Sequence, residues 1–565
     1  MTSRFWLASY DEGVPASLAP YPDRTLLDYL ADSARDHPGR AALLFKGGSV
    51  SYRELARLSD AFAGGLKGLG VRTGDRVALI LPNCPQFMIA ELGAWKIGAI
   101  VCPLNPTYSP REMEQALATT GARVAVVLSR YYEKVKELQP RTSLQRIVST
   151  NIKEHLPFHL RIAYTFLKEK KEGDRVSLRE GDVSMSRLLL RHRLAKPVGV
   201  RVSPDDLAVI LMSGGTTGTP KGVTGLHRGM VMAGLQLRAW LSSAINEWEV
   251  ILLPLPLFHT YGNNGVQSLA LINHNPIALI PNPRELRDVL HEINAVKPAF
   301  VCAVPTLLNG LMNHSLAREG KVDFSPIKLC FCGAAPLMAE TRKRFEELIG
   351  GVVVEGYSLT EAQMAVIANP VRGEKKIGSV GLPLPDVGVR ILDTEDGRTP
   401  VTRGEVGEIV LHAPQLMVGY WDRPEETREM LRTNELGERL LFTGDLGYLD
   451  EQGYLFIVDR KKDLIKTSGY QVWPREIEEV IAAHPAVAEV GVAGLPDQMR
   501  GESVKAWVVL RPGMKVGRAD MKLYCREHLA PYKVPSSFEF VDDLPKSAAG
   551  KVLRRVLRQQ ELAET

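Results

Sequence analysis

The sequence contains no run of 18 or more consecutive apolar residues, and it has only six cysteines. A helix that spans a membrane needs about 20 predominantly apolar residues, so no such helix is expected. The cysteines (84, 102, 302, 330, 332 and 525) have neither zinc-ligand nor disulfide spacing, which favours a reducing, cytoplasmic compartment. The first residues, MTSRFWLASYDEG, have no apolar core followed by a cleavage site, so no secretory signal is expected.

The sequence also has little excess charge. A net charge of +5 on 565 residues is too small to indicate nucleic-acid binding, and no nucleic acid is expected as a partner. The 45% apolar and 24% charged residues are typical of a globular protein. The length exceeds what one hydrophobic core supports, so two or more domains are expected, in a monomer or a homodimer.

Short apolar runs alternate with amphipathic helical patterns between residues 25 and 360. The clearest runs are RVALILPN (76–83), ARVAVVLS (122–129), LAVILMS (207–213), AFVCAVP (299–305) and VVVEGYS (352–358). This alternation predicts an α/β domain with layered, mostly parallel sheets.

The pattern changes after about residue 380. GEVGEIVL and YLDEQGYLFIV, the latter with turn residues Asp450 to Gly453, predict β-hairpins and hence a β-rich subdomain. From about residue 460 a small α+β domain is expected, beginning with the helix REIEEVIAAH, where Pro474 suits the first turn. We therefore divide the chain into a large domain, 1–459, and a small domain, 460–565.

A basic insert at 151–200 interrupts the large domain. Residues 151–175, NIKEHLPFHLRIAYTFLKEKKEGDR, combine a broad apolar helical face with lysines 168, 170 and 171 and acids 169, 172 and 174. One interpretation is a peripheral contact with the inner face of a membrane. The other, favoured because the acids dilute the positive charge, is a surface segment packed on its own domain.

The segment SGGTTGTPKG (213–222) follows a buried apolar run. Its glycines allow close backbone approach to an anion, and its hydroxyls and Lys221 add donors and charge. The spacing fits neither a Walker loop nor a Gly-x-Gly-x-x-Gly fingerprint, because Lys221 follows Pro220 and precedes Gly222. The segment predicts a phosphate site of another type.

Six further motifs follow in order: PLPLFHTYG (254–262), FCGAAPL (331–337), EGYSLTEA (355–362), LFTGDLGYLDEQGY (441–454), DRKKDLIKTSGYQVWPREIE (459–478) and LPKSAAGKVLRR (544–555). Together with SGGTTGTPKG they resemble the adenylate-forming superfamily, which includes acyl-CoA synthetases, luciferases and peptide-synthetase adenylation domains. The resemblance spans residues 25 to 558 and is closest to the long-chain fatty acyl-CoA ligases.

The resemblance implies roles for individual residues. It assigns the phosphates of ATP to Ser213, Gly214, Gly215, Thr216, Thr217, Gly218 and Lys221, and the adenine slot to Gly333, Ala334, Ala335, Glu355, Gly356, Tyr357 and Ser358. It assigns the α-phosphate to Thr360, Mg²⁺ to Glu361 with Thr217, the ribose to Asp445 with Arg460, and the substrate carboxylate to His259 and Lys551. The hinge and the coenzyme A (CoA) channel would involve Lys462, Lys466, Gly469 and Gln471.

The acyl pocket implied by the resemblance lies after His259. Tyr261, Gly262 and Gly265 are its candidate lining residues, and the small side chains there would leave a tunnel open for a long chain. Asn263 stands where some fatty acyl-CoA ligases have a tryptophan gate, so gating of that type is not expected.

The resemblance implies an AMP-forming ligase that joins a medium-to-long-chain fatty acid to CoA, using ATP and Mg²⁺. Its small domain would rotate about Lys462 between adenylation and thioester formation. Two alternatives stay open: an aryl or cinnamate-type CoA ligase, which LPLFHTYG fits equally well, and an adenylate ligase that loads a separate carrier protein.

Overall fold

The computed structural model describes residues 4–213, 220–461, 463–467, 470–497, 499–547 and 552–564. The chain forms two compact units: unit 1 comprises residues 1–388 and 412–441, and unit 2 comprises residues 389–411 and 442–565. Unit 2 thus groups the predicted β-hairpins with the predicted small domain. The proposed boundary at 459/460 stays a prediction.

The helices are α1 (Leu26–Asp36), α2 (Tyr52–Gly68), α3 (Pro85–Trp95), α4 (Pro110–Thr120), α5 (Tyr132–Leu138), α6 (Phe158–Leu167), α7 (Met185–Arg191), α8 (His227–Leu241), α9 (Ser268–Ile272), α10 (Leu286–Val296), α11 (Pro305–Asn313), α12 (Ser315–Arg318), α13 (Ala339–Ile349), α14 (Pro424–Met430), α15 (Pro474–Ala482), α16 (Arg518–His528) and α17 (Arg554–Glu564). A π-helix, Tyr261–Gln267, precedes α9 directly.

The strands are β1 (Ala41–Phe45), β2 (Gly48–Ser51), β3 (Arg76–Ile80), β4 (Ile100–Pro103), β5 (Val124–Leu128), β6 (Arg146–Thr150), β7 (Val183–Ser184), β8 (Leu207–Ser213), β9 (Lys221–Leu226), β10 (Ile251–Leu253), β11 (Ile277–Leu279), β12 (Phe300–Ala303), β13 (Leu329–Cys332), β14 (Val352–Leu359), β15 (Met364–Ala368), β16 (Ser379–Pro383), β17 (Gly388–Leu392), β18 (Gly407–His412), β19 (Gly419–Tyr420), β20 (Leu431–Thr433), β21 (Arg439–Leu449), β22 (Leu455–Arg460), β23 (Ile465–Thr467), β24 (Tyr470–Val472), β25 (Val487–Asp497), β26 (Gly501–Leu510) and β27 (Ser537–Phe540).

Unit 1 contains two large sheets. In the first, the strand order β16-β15-β14-β13-β12-β10-β11-β1-β2 has a parallel core from β14 to β1. In the second, the order β19-β9-β8-β4-β3-β5-β6-β7 is parallel from β8 to β7 and antiparallel beyond. The predicted α/β class with mostly parallel sheets is therefore confirmed, and the five predicted apolar runs all form strands.

Buried side chains connect the two sheets of unit 1. All residues of α3 are buried, which explains its almost continuous apolar sequence. Asn83, just before α3, donates to the carbonyl oxygens of Leu253 and Leu255 at 3.0 and 2.8 Å and accepts from the Leu257 amide at 2.8 Å. These three hydrogen bonds fix the segment that leads from β10 to His259.

Unit 2 contains the strands β17, β18, β22 and most of β21, together with a five-stranded sheet of order β24-β23-β26-β25, in which β27 pairs with β26. The predicted hairpin forms from β21 and β22, and the predicted helix is α15 with Pro474 in its first turn. Arg554 at the start of α17 pairs with Asp459 and Glu478, each at 2.5 Å. This guanidinium group links α17 to β22 and α15.

No helix among the described residues is long and apolar enough to span a membrane. Helix α6 lies in the predicted insert and has no buried residue. Its side chains Phe158 and Phe166 are 78% and 82% exposed.

Candidate active site

Three of the predicted motifs lie at one edge of the first sheet of unit 1. Strands β10, β13 and β14 run in the same direction, so the segments that leave their carboxyl ends meet at that edge. His259 follows β10, Gly333 follows β13, and Glu361 follows β14. The Tyr261 hydroxyl donates to the Phe331 carbonyl at 2.7 Å, which ties the first of these segments to β13. Ligands of open α/β sheets bind at such an edge.

The predicted phosphate segment connects β8 to β9. Ser213, the last residue of β8, lies opposite Lys221, the first residue of β9. Gly214, Gly215, Thr216, Thr217 and Gly218 lie outside the described residues. The Lys221 ammonium group lies 2.6 Å from Glu426 and 4.8 Å from the centre of the Tyr420 ring. The Lys221 ammonium group lowers the pKa of the Glu426 carboxyl.

Glu361, the predicted Mg²⁺ ligand, lies beside this lysine group. Its carboxylate accepts a hydrogen bond from the Tyr420 hydroxyl at 2.8 Å, and its backbone carbonyl accepts from the Met417 amide at 2.9 Å. Among the described residues no group of three or more metal-ligating side chains occurs. A single carboxylate fits Mg²⁺, because this ion is usually held by one or two carboxylates together with water and substrate phosphates.

The predicted adenine slot is formed by the ends of β13 and β14. The Gly333 backbone lies so close to β14 that an added Cβ would be 3.1 Å from the Gly356 carbonyl oxygen, which explains the glycine. The Glu355 carboxylate accepts from the Leu337 amide at 3.3 Å and thereby holds the FCGAAPL segment. The Ser358 hydroxyl is buried and has no hydrogen-bond partner among the described residues. Ala334, Ala335, Tyr357 and Thr360 lie in the same two segments.

His259 lies at the start of the segment that carries the π-helix. Burial lowers the pKa of its imidazole to about 4. Its Nδ1 accepts the Tyr261 amide at 3.3 Å, and its carbonyl accepts the Asn263 amide at 2.9 Å. The ring is therefore neutral near pH 7, with its proton on Nε2.

The small residues expected to border the acyl tunnel are closely packed in this structure. An added Cβ at Gly262 would lie 2.4 Å from the Pro256 carbonyl oxygen, and one at Gly265 would lie 2.3 Å from the Met364 sulfur. Both glycines are thus explained by close packing. A cavity of about 10 Å³, lined by Tyr261, Val266, Phe331 and Met364 among others, lies beside the π-helix.

The remaining predicted residues belong to unit 2. Asp445 is buried and pairs with Arg460 at 3.0 Å, so the two residues assigned to the ribose do lie side by side. Lys466 is exposed on β23 and its backbone amide donates to Glu502 at 2.9 Å. Gln471 is part of β24. Lys462, Gly469 and Lys551 lie outside the described residues.

Two residues that the structure adds to the site could not be recognised from the sequence. Tyr420 and Glu426 contact Glu361 and Lys221, but they lie in MVGYWDRPEE, whose glycine, aromatic and acidic residues are typical of any surface turn. Glu91, which lies outside this site, was missed for a related reason. An acid within the apolar helix α3 could have been noticed, but its partners could not, because they are 172 and 176 residues away.

Most of the chain matches one known enzyme family. Residues 30–421 match the family of AMP-binding enzymes, and residues 476–551 match the C-terminal domain of the same enzymes. The chain belongs to the AMP-binding enzyme family. Its predicted membership of the adenylate-forming superfamily is confirmed.

Relatives within the AMP-binding enzyme family match nearly the whole chain. The long-chain-fatty-acid–CoA ligase of Bacillus subtilis (strain 168) is 37% identical over 98% of both chains. The 4-coumarate–CoA ligase of Pinus taeda is 32% identical over 91% of this chain and 90% of its own. Among solved structures, the anthranilate CoA ligase AuaEII in complex with anthranoyl-AMP has a TM-score of 0.82 and 26% identity, covering 97% and 99% of the two chains.

Proposed function

We propose that this protein is an ATP-dependent fatty acid:CoA ligase that forms an acyl-adenylate and then acyl-CoA, releasing pyrophosphate and AMP. The observation that carries the proposal is the match to a long-chain-fatty-acid–CoA ligase over 98% of both chains. The placement of Glu361 and His259 at one edge of the first sheet, with Lys221 linked to Glu361 through Tyr420, supports it. These residue types suit a hard cation, a carboxylate and a phosphate.

The chemistry explains why such groups are needed. A carboxylate within about 4 Å of a phosphate is repelled by on the order of 4 kcal/mol per charge pair at an effective dielectric of 20. Lys221 offsets part of this repulsion at the phosphates, and Glu361 would hold Mg²⁺, which neutralises phosphate charge when bound. The Tyr420 hydroxyl fixes the Glu361 carboxylate in place before any ligand arrives.

Lys551 would supply the second cation, at the carboxylate and α-phosphate, from the small domain. We expect Lys551→Ala to lose about 10²–10³-fold in adenylation, as for other single positioned electrostatic groups. Thioester formation from supplied acyl-adenylate and CoA should persist. Lys462→Pro should show the reverse pattern, because proline fixes the backbone at the proposed hinge. Loss of the same half-reaction in both variants contradicts a rotating small domain.

The nature of the acid separates the main proposal from its first alternative. The mostly apolar side chains beside the π-helix (Leu237, Leu241, Tyr261, Val266, Leu269, Phe300, Phe331 and Met364) suit the apolar tail of a fatty acid. Each methylene that the bound acid buries adds at most about 0.8 kcal/mol, so the preference should rise with chain length and then level off. An aryl acid is also apolar, and the similarity to a 4-coumarate–CoA ligase keeps that alternative in the test.

The deciding experiment measures AMP release across carboxylic acids from acetate to oleate, with benzoate and coumarate. Octanoate to oleate should give the highest kcat/KM. If coumarate exceeds every fatty acid, the protein is an aryl-CoA ligase. Replacing CoA with an acyl-carrier protein tests the other alternative, which requires faster AMP release with the carrier than with CoA.

We also propose that α6 lies on the anionic inner face of a membrane. Phe158, Ile162 and Phe166 are spaced by one turn each, so they form one exposed apolar stripe. Lys168, Lys170 and Lys171 follow directly and are all exposed. An apolar stripe with adjacent lysines is the composition that binds an anionic lipid surface.

The acidic residues near these lysines form ion pairs within the protein. Glu169 pairs with Lys153 at 2.7 Å, and both Glu172 and Asp174 pair with Arg130. Glu169 and Asp174 are buried. The exposed charge beside the apolar stripe is therefore mainly positive.

A further inference from the structure

A buried carboxyl group lies behind the π-helix, outside the site described above. Glu91, in the middle of α3, is fully buried. One of its carboxyl oxygens accepts from the Asn263 amide group at 2.7 Å, and the other accepts from the Gln267 amide group at 2.6 Å. Among the described residues no lysine, arginine or histidine pairs with it. The carboxyl group is held by two neutral side chains alone.

Both amide groups belong to the π-helix. Asn263 and Gln267 are four residues apart, close to one turn of a π-helix, so both point to α3. Apolar side chains would pack against α3 in an α-helical or a π-helical register alike. The side-chain amides of Asn263 and Gln267 can both reach the Glu91 carboxyl group in only one register of the π-helix. Other registers are strongly disfavoured, because they leave a buried polar group unpaired.

The register of the π-helix matters at the site. The backbone N–H of Asn263 donates to the backbone carbonyl of His259. The residue whose side chain Glu91 holds is therefore also hydrogen-bonded to the segment that contains His259. Tyr261 and Val266, on another side of the same helix, line the small apolar cavity. A shift of the helix by one residue would move both sets of contacts.

We propose that Glu91 is a positioning residue: through Asn263 and Gln267 it holds the π-helix in the register that sets His259 and Tyr261 beside the acyl group. This inference rests on the proposed function, since it assigns the acyl side of the site to the π-helix. Glu91 itself touches no substrate in this proposal. Its effect is expected on the acid substrate and not on ATP.

The choice of substitutions follows from the hydrogen bonds. In Glu91→Gln the new amide oxygen accepts from one partner, and the new NH₂ donates to the other after that partner's amide rotates. The Asn263 and Gln267 side-chain oxygens can accept this hydrogen bond, because neither has a partner among the described residues. Glu91→Met keeps the volume but leaves both NH₂ groups unpaired. Glu292→Met in α10 is the matched control, since Glu292 is 6% exposed and lies away from the π-helix.

The experiment measures pyrophosphate release with octanoate, palmitate and oleate, varying the acid and ATP separately. Glu91→Met should lower kcat/KM for the acids by about 10- to 100-fold, the effect of one or two unpaired buried groups, with the KM for ATP unchanged. Glu91→Gln should stay close to wild type, and Glu292→Met should change the KM for neither substrate. If Glu91→Met does not fold, Gln267→Met, which removes one donor, should show a smaller shift in the same direction.

The proposal is overturned if Glu91→Met, or Gln267→Met in its place, leaves the acid KM and kcat at wild-type values. It is equally overturned if the variant changes the KM for ATP by the same factor as the KM for the acid. Failure of the wild-type protein to release pyrophosphate with any fatty acid has a different meaning: it rejects the proposed function.

Discussion

Two helices of unit 1 depart from the usual distribution of side chains in opposite ways. The π-helix Tyr261–Gln267 is buried throughout although three of its seven residues are amides. Helix α6 has no buried residue although five of its ten residues (Phe158, Leu160, Ile162, Phe166 and Leu167) are large exposed hydrophobics. A folded protein normally hydrogen-bonds its buried polar groups and limits its exposed apolar patches.

The two helices differ in where their side chains have contacts. The amides of the π-helix have partners inside unit 1: Glu91 for Asn263 and Gln267, and Gln363 for Asn264 at 2.5 Å. The aromatic side chains of α6 are oriented towards the surroundings of the protein. We therefore expect substitutions in the π-helix region to change catalysis and stability, and substitutions in α6 to change only association with lipid.

The largest effect is expected from Phe158→Ser with Phe166→Ser. Burying one phenylalanine contributes about 1.5–3 kcal/mol, so losing two should weaken binding to vesicles with anionic lipid by at least about 100-fold. Adenylation and the melting temperature should stay at wild-type values. Sedimentation with vesicles measures the binding.

Leu436→Ser provides the control for α6, because Leu436 is 73% exposed in a different part of unit 1. It should leave vesicle binding unchanged. Binding of the wild-type protein should weaken at high salt, since the lysines after α6 are screened. Equal sedimentation of the wild-type protein and the double variant rejects the membrane contact.

The second effect concerns the pH dependence of stability that arises from Glu91, the buried partner of the π-helix. Burial raises the pKa of the Glu91 carboxyl from 4.5 to about 7. The folded state therefore binds a proton that the unfolded state has released between these pH values, and stability from this group is present below pH 4.5 and lost as pH rises through 7. The loss amounts to about 3 kcal/mol between pH 4.5 and 8.

Comparison with Glu91→Gln isolates this dependence. As pH rises from 5 to 8, the free energy of unfolding of wild type should fall relative to that of the variant. Urea midpoints of the two proteins measure this difference. Infrared difference spectra of the two proteins should show a protonated carboxyl group that disappears near pH 7. A carboxyl group that is already ionised at pH 5 contradicts the assignment.

The strands of this fold could be predicted from the sequence, but the contacts between distant polar side chains could not. The strands were predictable from apolar runs such as 207–213 and 352–358, because burial on both faces leaves a continuous apolar signature. That the motifs with His259, Gly333 and Glu361 follow apolar runs was also visible in the sequence. The contacts of Lys221 with Glu426 and of Glu91 with Gln267 were not visible, because pairing between distant polar side chains leaves no periodic pattern in the sequence.

A smaller effect is expected from Asn264→Leu. The Asn264 amide donates to Gln363, whose own amide donates to the Thr360 carbonyl at 3.4 Å beside Glu361. The substitution leaves the buried Gln363 oxygen unpaired, at a cost of about 1–3 kcal/mol in the free energy of unfolding. Urea unfolding measures this cost, and Asn264→Asp should cost at least as much, because its carboxylate faces the Gln363 oxygen without a donor. Wild-type stability in both variants contradicts the hydrogen bond.

The smallest effect concerns His259, at the entrance to the π-helix. Its pKa is lowered to about 4 by burial, so the ring is neutral from pH 6 to 8 and its titration should leave no inflection in kcat/KM over that range. Protonation at Nδ1 would also break the hydrogen bond from the Tyr261 amide, which opposes titration further. His259→Ala should therefore lower activity by the same factor at pH 6 and pH 8. The sign for stability is the opposite of that for Glu91: a histidine that stays neutral when folded loses stability as pH falls from 6.5 towards 4. An inflection between pH 6 and 7 that is present in wild type and absent in His259→Ala would show that the imidazole is solvated, and the π-helix would then not seal this end of the site.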